Sequence, residues 1–266
     1  MDDLVFVGLG LHDQMGLSLQ GLEEIKAADT VFLELYTNLL PDFSQESLTK
    51  LSGKKIRILL RKDLEDDAGR IIFEATEKGR TVLLVPGDPL IATTHVALRI
   101  EAIKRKIKTR IVHGSSILSA AIGLSGLHSY KFGKSVTIPF WDENPSVTPY
   151  NVIGQNKKQG LHTLCLLDIN AESKRFLRIN DALTMLLKIE QWKNEKTVSN
   201  DSLAVGVARA GSASPVVRAG FINDLLDMEF GGPPHSLVFP GKLHFMEAEA
   251  LIFLGDAPEK VRRMAE

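Results

Sequence analysis

The tetrapeptide Pro86-Gly87-Asp88-Pro89 sets one carboxylate between two prolines, directly after the aliphatic run 81–85. Proline fixes φ and carries no N–H, and Pro89 disfavours helical geometry at Asp88. Gly87 allows a second group to come close to the main chain. A carboxylate on so stiff a turn suits a group that orients a ligand through a polar contact. Open α/β sheets take ligands outside the carboxyl ends of their strands, and this turn falls at such an end. The same spacing also fits an Asp that caps the following helix. Spacing alone leaves both readings open.

Other candidates are weighed the same way. Gly8-Leu9-Gly10 closes the first apolar run, but a dinucleotide fingerprint needs Gly or Ala at position 13. Asp13 stands there instead and would meet a pyrophosphate with the wrong sign, so a tight strand-end turn is expected. Ser115 and Ser116 precede apolar Ile117 and Leu118 and suit either a helix cap or an anion or ribose contact. The histidines at 12, 95, 113, 128, 162, 235 and 244 have no zinc-protease spacing, so no metal site is expected. His235 follows Gly231-Gly232-Pro233-Pro234, a rigid setting like that of Asp88. Lys104, Arg105, Lys106, Lys108 and Arg110 read as a solvated helix end or a docking patch for an acidic protein. No phosphate-binding Gly-Lys-Ser/Thr loop and no Gly-x-Ser-x-Gly elbow occurs. This suits chemistry needing little covalent help from the protein.

Strands and helices must position these residues. Strands are predicted over 4–10, 30–36, 55–61, 81–85 and 108–114. Helices are predicted after the Ser18 cap, over 63–79, and over a stretch whose apolar spacing is carried by Val96, Ile100 and Ile103. Alternating strand and helix predict a parallel sheet with helices on both faces. Beyond residue 112 the strand candidates are 135–140, 161–169, 202–211, 214–221 and 235–241. Helices are predicted over 148–159, 180–193 and 242–254. In the second, Asn180 fits the N-cap, with Ala182, Met185, Leu186 and Ile189 inward. Neighbouring strands without an intervening helix favour a mixed sheet. The expectation is therefore α/β: a mostly parallel N-terminal domain, 1–112, and a mixed-sheet C-terminal domain, 113–266, with a ligand cleft between them.

Bulk properties narrow the partners. The chain has 266 residues, 44% apolar and 24% charged, enough for a substantial core. Its net charge of −1 gives no reason to expect nucleic acid or a membrane surface. One cysteine excludes an intramolecular disulfide, and Cys165 in "HTLCLLDI" reads as a packed thiol. Asp2 and Asp3 stand where a secretory signal carries basic residues, and no run spans a bilayer. A cytoplasmic protein is expected.

Motif order then adds a resemblance. "GLGL", "PGDPLIATTH", "GLHSYKFGKS", "GLHTLCLLDI", "ARAGS" and "GGPPHSLVFPGKLHFMEAE" occur as in diphthine synthases, a family in the tetrapyrrole-methylase class of S-adenosylmethionine-dependent methyltransferases. The resemblance runs from Leu4 to about Asp256. It implies two α/β domains, a homodimer, and S-adenosylmethionine as cofactor with S-adenosylhomocysteine as product. The implied acceptor is the amino group of a modified histidine on translation elongation factor 2, in diphthamide biosynthesis. Archaeal members place three methyl groups on one nitrogen, and eukaryotic members add a methyl ester. By motif, cofactor contacts fall on Leu11, Asp88, Ile91, Ser116, Ile117, Leu167, Ala210 and His235. Two stretches depart from the family pattern: His-Gly-Ser-Ser-Ile at 113–117 and Thr-Pro-Tyr-Asn at 148–151.

Methyl transfer from a sulfonium is an in-line displacement, and alignment can supply roughly 7–11 kcal/mol of the barrier. The acceptor amine must be neutral, and no general base is named. A trimethylated nitrogen is a fixed cation that aromatic faces favour, with Tyr130, Phe140, Trp141 and Tyr150 as candidates. The rivals are a corrin-type macrocycle methylase, a nicotinamide oxidoreductase disfavoured by Asp13, and a non-catalytic adaptor using residues 101–110.

Overall fold

A computed structural model of the chain describes residues 3–142, 145–171 and 173–265, so Asp2 lies outside the described residues. The chain forms two compact units, Met1–Ile117 with Ala171–Ser173 and Leu118–Asn170 with Lys174–Glu266. His113 through Ile117 thus go with the first unit.

The first unit contains β1 (Asp3–Gly8), α1 (Leu19–Ala27), β2 (Thr30–Glu34), α2 (Gln45–Ser52), β3 (Ile56–Leu59), α3 (Arg61–Leu64), α4 (Arg70–Thr76), β4 (Thr81–Val85), α5 (Val96–Lys104) and β5 (Lys108–Val112). Its five strands run β3-β2-β4-β1-β5, all parallel. The alternation within each strand explains the layers. Leu4, Phe6, Phe32, Leu83 and Val85 enter one core; Val5, Val7, Val31, Leu33, Val82 and Leu84 enter the other. Both faces are covered, as a parallel sheet requires. The chain leaves β1 in one direction and β4 in the other, so the carboxyl ends of these neighbours mark the switch point where such sheets take ligands.

Three expectations change here. The helix predicted over 63–79 is two, α3 and α4, broken where Ala68 and Gly69 take φ of 50° and 67°. At Gly69 a Cβ would lie 2.4 Å from Leu98 Cδ2, so close packing against α5 bends the chain. On α5 the inward stripe is Leu98 and Ala102, while Val96, Ile100 and Ile103 are about half exposed. Both sets have helical spacing, and periodicity alone does not say which one meets the sheet. Helix α2 was not foreseen because Leu48 is its one buried large apolar residue.

The second unit contains α6 (Ile117–Ser125), β6 (Val136–Ile138), α7 (Thr148–Lys158), β7 (Thr163–Leu167), β8 (Ile169–Asn170), β9 (Arg175–Phe176), α8 (Ile179–Lys193), β10 (Leu203–Ala208), β11 (Val216–Phe221), α9 (Ile222–Leu226), β12 (His235–Phe239) and α10 (Phe245–Gly255), with α6 starting at the last residue of the first unit. Its main sheet runs β11-β10-β12-β7-β6, antiparallel except for the β6–β7 pair, so it is mixed. Cys165 is fully buried in β7, and burial pushes its thiol pKa up, so it is an inert core group. The N-cap of α8 is Arg178, not Asn180. The Asn180 amide instead donates to the carbonyls of Leu225, Leu226 and Met228, satisfying the end of α9. Leu183 joins the inward stripe of α8, and Met185 is only partly buried.

Candidate functional site

The carboxyl ends of β1, β4 and β5 meet through glycines. Gly10 N donates to Gly87 O at 3.2 Å, and Gly87 N to Gly10 O at 2.6 Å, tying the two turns together. A Cβ at Gly8 would lie 2.5 Å from Gly87 O and 2.6 Å from Gly114 N; one at Gly114 would lie 2.4 Å from Gly87 O. Three backbones therefore approach as closely as glycine allows. This explains Gly114, one of the departures from the family pattern. Gly87 itself, at φ 72°, is open: the nearest atoms to an added Cβ are Ser115 O at 3.9 Å and Leu11 Cδ2 at 4.0 Å. The edge thus presents bare main chain beside an apolar side chain. This suits a flat, partly apolar ligand such as an adenosine.

Asp88 is 6% exposed, and both its oxygens are engaged. Oδ1 accepts from Leu90 N at 3.1 Å, and Oδ2 from His113 Nδ1 at 2.7 Å. The carboxylate therefore braces its own turn and links β4 to the loop after β5. It does not cap α5, which His95 precedes. Carboxylate oxygens can accept further bonds, so bracing leaves room for a ligand donor. Leu11 is buried, Ile91 is 40% exposed, and Ser116 and Ile117 lead into α6. Asp13 accepts from Met15 N and caps a single 3-10 turn.

Sequence reading missed a polar cluster at the same edge. Glu34, fully buried at the end of β2, accepts from Tyr36 N at 3.0 Å, Thr37 N at 3.1 Å and the Thr37 hydroxyl. Its Oε1 lies 3.9 Å from Nε2 of His95, also fully buried. Burial pushes the Glu34 pKa up to about 7 despite these hydrogen bonds and Arg61. Burial likewise pushes His95 down to about 4. The one signal in the sequence was a charged residue inside the apolar strand "TVFLELY".

In the second unit, Leu167, Ala210 and His235 come from neighbouring strand ends. Leu166 pairs with Ser236 and Ala208 with His235. The His235 ring is committed to its own chain: Nε2 donates to Gly231 O and Gly232 O, both at 3.1 Å, and Nδ1 accepts from Ile179 N at 3.4 Å. Burial lowers its pKa, keeping it neutral. Any ligand contact at this position is left to the main chain. Phe140 lies under Arg175, Trp141 under Lys188 and Tyr150 under Lys193, so these three faces already meet cations of this chain.

Three sequence motifs converge on Glu247. This carboxylate accepts from His128 N, His244 N and His162 Nε2, each at 2.8 Å, and from Lys131 Nζ. Burial opposes its charge, but these donors outweigh it and hold the pKa at about 2. "GLHSYKFGKS", "GLHTL" and "PGKLHFMEAE" thus build one ion network around a buried carboxylate. Within the run 101–110, Arg105 pairs with Glu101 and lies 4.3 Å over Phe73, and Arg110 pairs with Glu24. Among the described residues no helix is long and apolar enough to cross a membrane.

The family profile described as Tetrapyrrole (Corrin/Porphyrin) Methylases matches residues 3–225, which sets the class to which this sheet edge belongs. A diphthine synthase of Methanosarcina mazei is 47% identical, over 99% of this chain and all of its own. One from Methanocaldococcus jannaschii is 46% identical, over 94% of this chain and 98% of its own. A crystal structure of diphthine synthase superposes with a TM-score of 0.90 at 41% identity, covering 99% and 100% of the two chains. The chain belongs to the diphthine synthase family. It is an S-adenosylmethionine-dependent methyltransferase of diphthamide biosynthesis.

Proposed function

We propose that this chain methylates the amino group of the modified histidine of translation elongation factor 2, adding three methyl groups to one nitrogen, and that it works as a homodimer. The observation that carries the cofactor assignment is the open main-chain face at Gly87, flanked by Leu11 and braced by Asp88. Leu11, Ile91, Ile117 and Leu167 would wall the adenosine. Asp88 and Ser116 would supply polar contacts, and Ala210 and His235 would contribute main chain. When bound, S-adenosylmethionine supplies a methyl group already activated on sulfur. The protein need only bind and align the reactants, exclude water and accept a proton from the amine. The lack of any nucleophile–base motif fits that demand.

Calorimetric titration tests the cofactor part of this reading. S-adenosylmethionine and S-adenosylhomocysteine should both bind, and NADH should not. Tight NADH binding would reopen the oxidoreductase reading, and silence from all three the adaptor reading.

A further inference from the structure

His95 ends the conspicuous PGDPLIATTH motif, yet no cofactor contact falls on it. Three buried side-chain atoms without a hydrogen-bond partner among the described residues meet around it: Tyr36 Oη and both His95 ring nitrogens. The Pro89 carbonyl lies near the His95 ring. The Tyr36 and His95 rings are 6.4 Å apart, and Glu34 Oε1 lies 3.9 Å from His95 Nε2. Orphaned polar atoms in a core are costly and cluster where a protein has a use for them. The cluster is not sealed from the surface. The exposed Thr94 hydroxyl lies beside the Tyr36 phenol and donates to Glu65 Oε1 at 3.2 Å. Polar groups therefore run inward from Glu65 and Thr94 through Tyr36 to Glu34 and His95. The ionisable groups facing Glu34 are Arg61, Tyr36 and His95; those facing Tyr36 are Glu34, Glu65, Arg61 and His95.

We infer that Glu34, His95 and Tyr36 form a proton-holding group at the carboxyl edge of the first sheet, which takes up the proton released by the acceptor amine. This rests on the reading of the chain as an amine methyltransferase. An ammonium has no lone pair, so each methyl group added requires one N–H bond to break first. The proton passes to the Glu34 carboxylate, making it a carboxylic acid, and the electron pair stays on nitrogen. The proton then leaves outward by way of Tyr36, Thr94 and Glu65, restoring the carboxylate. Glu34 near neutrality and a neutral His95 beside it match that duty. In this scheme Glu34, which takes the proton, is the reacting group, and His95 is a positioning residue.

Two measurements on the full chain test it. The first needs neither cofactor nor acceptor: unfolding equilibria against pH for wild type, Glu34→Gln and His95→Asn. Glu34 binds its proton more tightly folded, so its stabilisation is complete below 4.5 and lost as pH rises through about 7. His95 binds its proton less tightly folded, so its contribution is present above 6.5 and lost as pH falls through about 4. Relative to wild type, the folding constant of Glu34→Gln should rise about 80-fold from pH 4.5 to 7, and that of His95→Asn should fall about as much from pH 4 to 6.5. Parallel, flat differences would overturn the inference. The second is the pH profile of methyl transfer. Glu34→Gln should slow transfer at least ~100-fold and abolish its rise near neutrality, with cofactor affinity within about threefold. An unchanged profile and rate would overturn the inference. If Glu34→Gln fails to fold, Tyr36→Phe keeps the ring packing and should slow transfer too; an unaltered rate refutes the relay. Wild-type protein that binds cofactor but methylates no factor would sink the functional reading instead, and the stability series still decides on the pair.

Discussion

Gly114→Ala should damage this protein more than its size suggests. The new methyl group would sit 2.4 Å from Gly87 O, 2.8 Å from Gly8 C and 2.9 Å from Gly8 Cα, all main-chain atoms with no rotamer to change. Ordinary contact begins near 3.4 Å, so one of the turns must move by about 1 Å (3.4 minus 2.4). That movement strains the paired hydrogen bonds of Gly10 and Gly87, each worth about 1 kcal/mol net. Adding the usual cost of overpacking gives a loss of roughly 2–4 kcal/mol. Gly123→Ala is the control, because nothing lies within 4 Å of its added Cβ and it sits inside α6. That change should stabilise by about 0.5–1 kcal/mol through helix propensity. Urea unfolding monitored by circular dichroism reads both. Cofactor affinity should fall with Gly114→Ala alone, since the displaced turn carries Gly87 and Asp88. A Gly114→Ala protein within about 0.5 kcal/mol of wild type would refute the close-approach argument.

Two further outcomes follow from named contacts. Asp88→Ala should leave the protein folded while weakening S-adenosylmethionine binding roughly 10–100-fold by calorimetry, because it removes the brace to His113 and a charged acceptor; unchanged affinity would reduce Asp88 to a turn residue. Glu247→Gln should cost about 3–5 kcal/mol at pH 7, since it removes the buried charge that half-buried Lys131 and the ring of His162 meet. The folded pKa of Glu247 is depressed, so its contribution, about 3 kcal/mol, is present above 4.5 and lost as pH falls through about 2. The gap between variant and wild type in urea should therefore close towards pH 2, and a gap that stays constant would contradict the assignment.

The parts of the fold visible in the sequence are those where burial is total. β1 and β4 are apolar on both faces, so they read as strands without reference to any partner. The Pro-Gly-Asp-Pro turn was legible because its residues restrict their own backbone. What stayed hidden depends on distant segments. Which stripe of α5 faces inward is decided by the core cluster it joins, and the amide of Asn180 is claimed by carbonyls some 45 residues away. Glu34 did not stand out in the sequence, because a strand pattern cannot show that the turn after β2 folds back to donate to it. The Glu247 network illustrates the converse. Its motifs were recognised from their order, but only the structure shows that they share one ion cluster.

The most direct test of the account is mass spectrometry of precursor-bearing elongation factor 2 incubated with this protein and S-adenosylmethionine. The account predicts that the modified histidine gains the mass of three methyl groups, all on one nitrogen by fragmentation, with matching release of S-adenosylhomocysteine. A factor of unchanged mass, in the presence of protein shown to bind the cofactor, would contradict it.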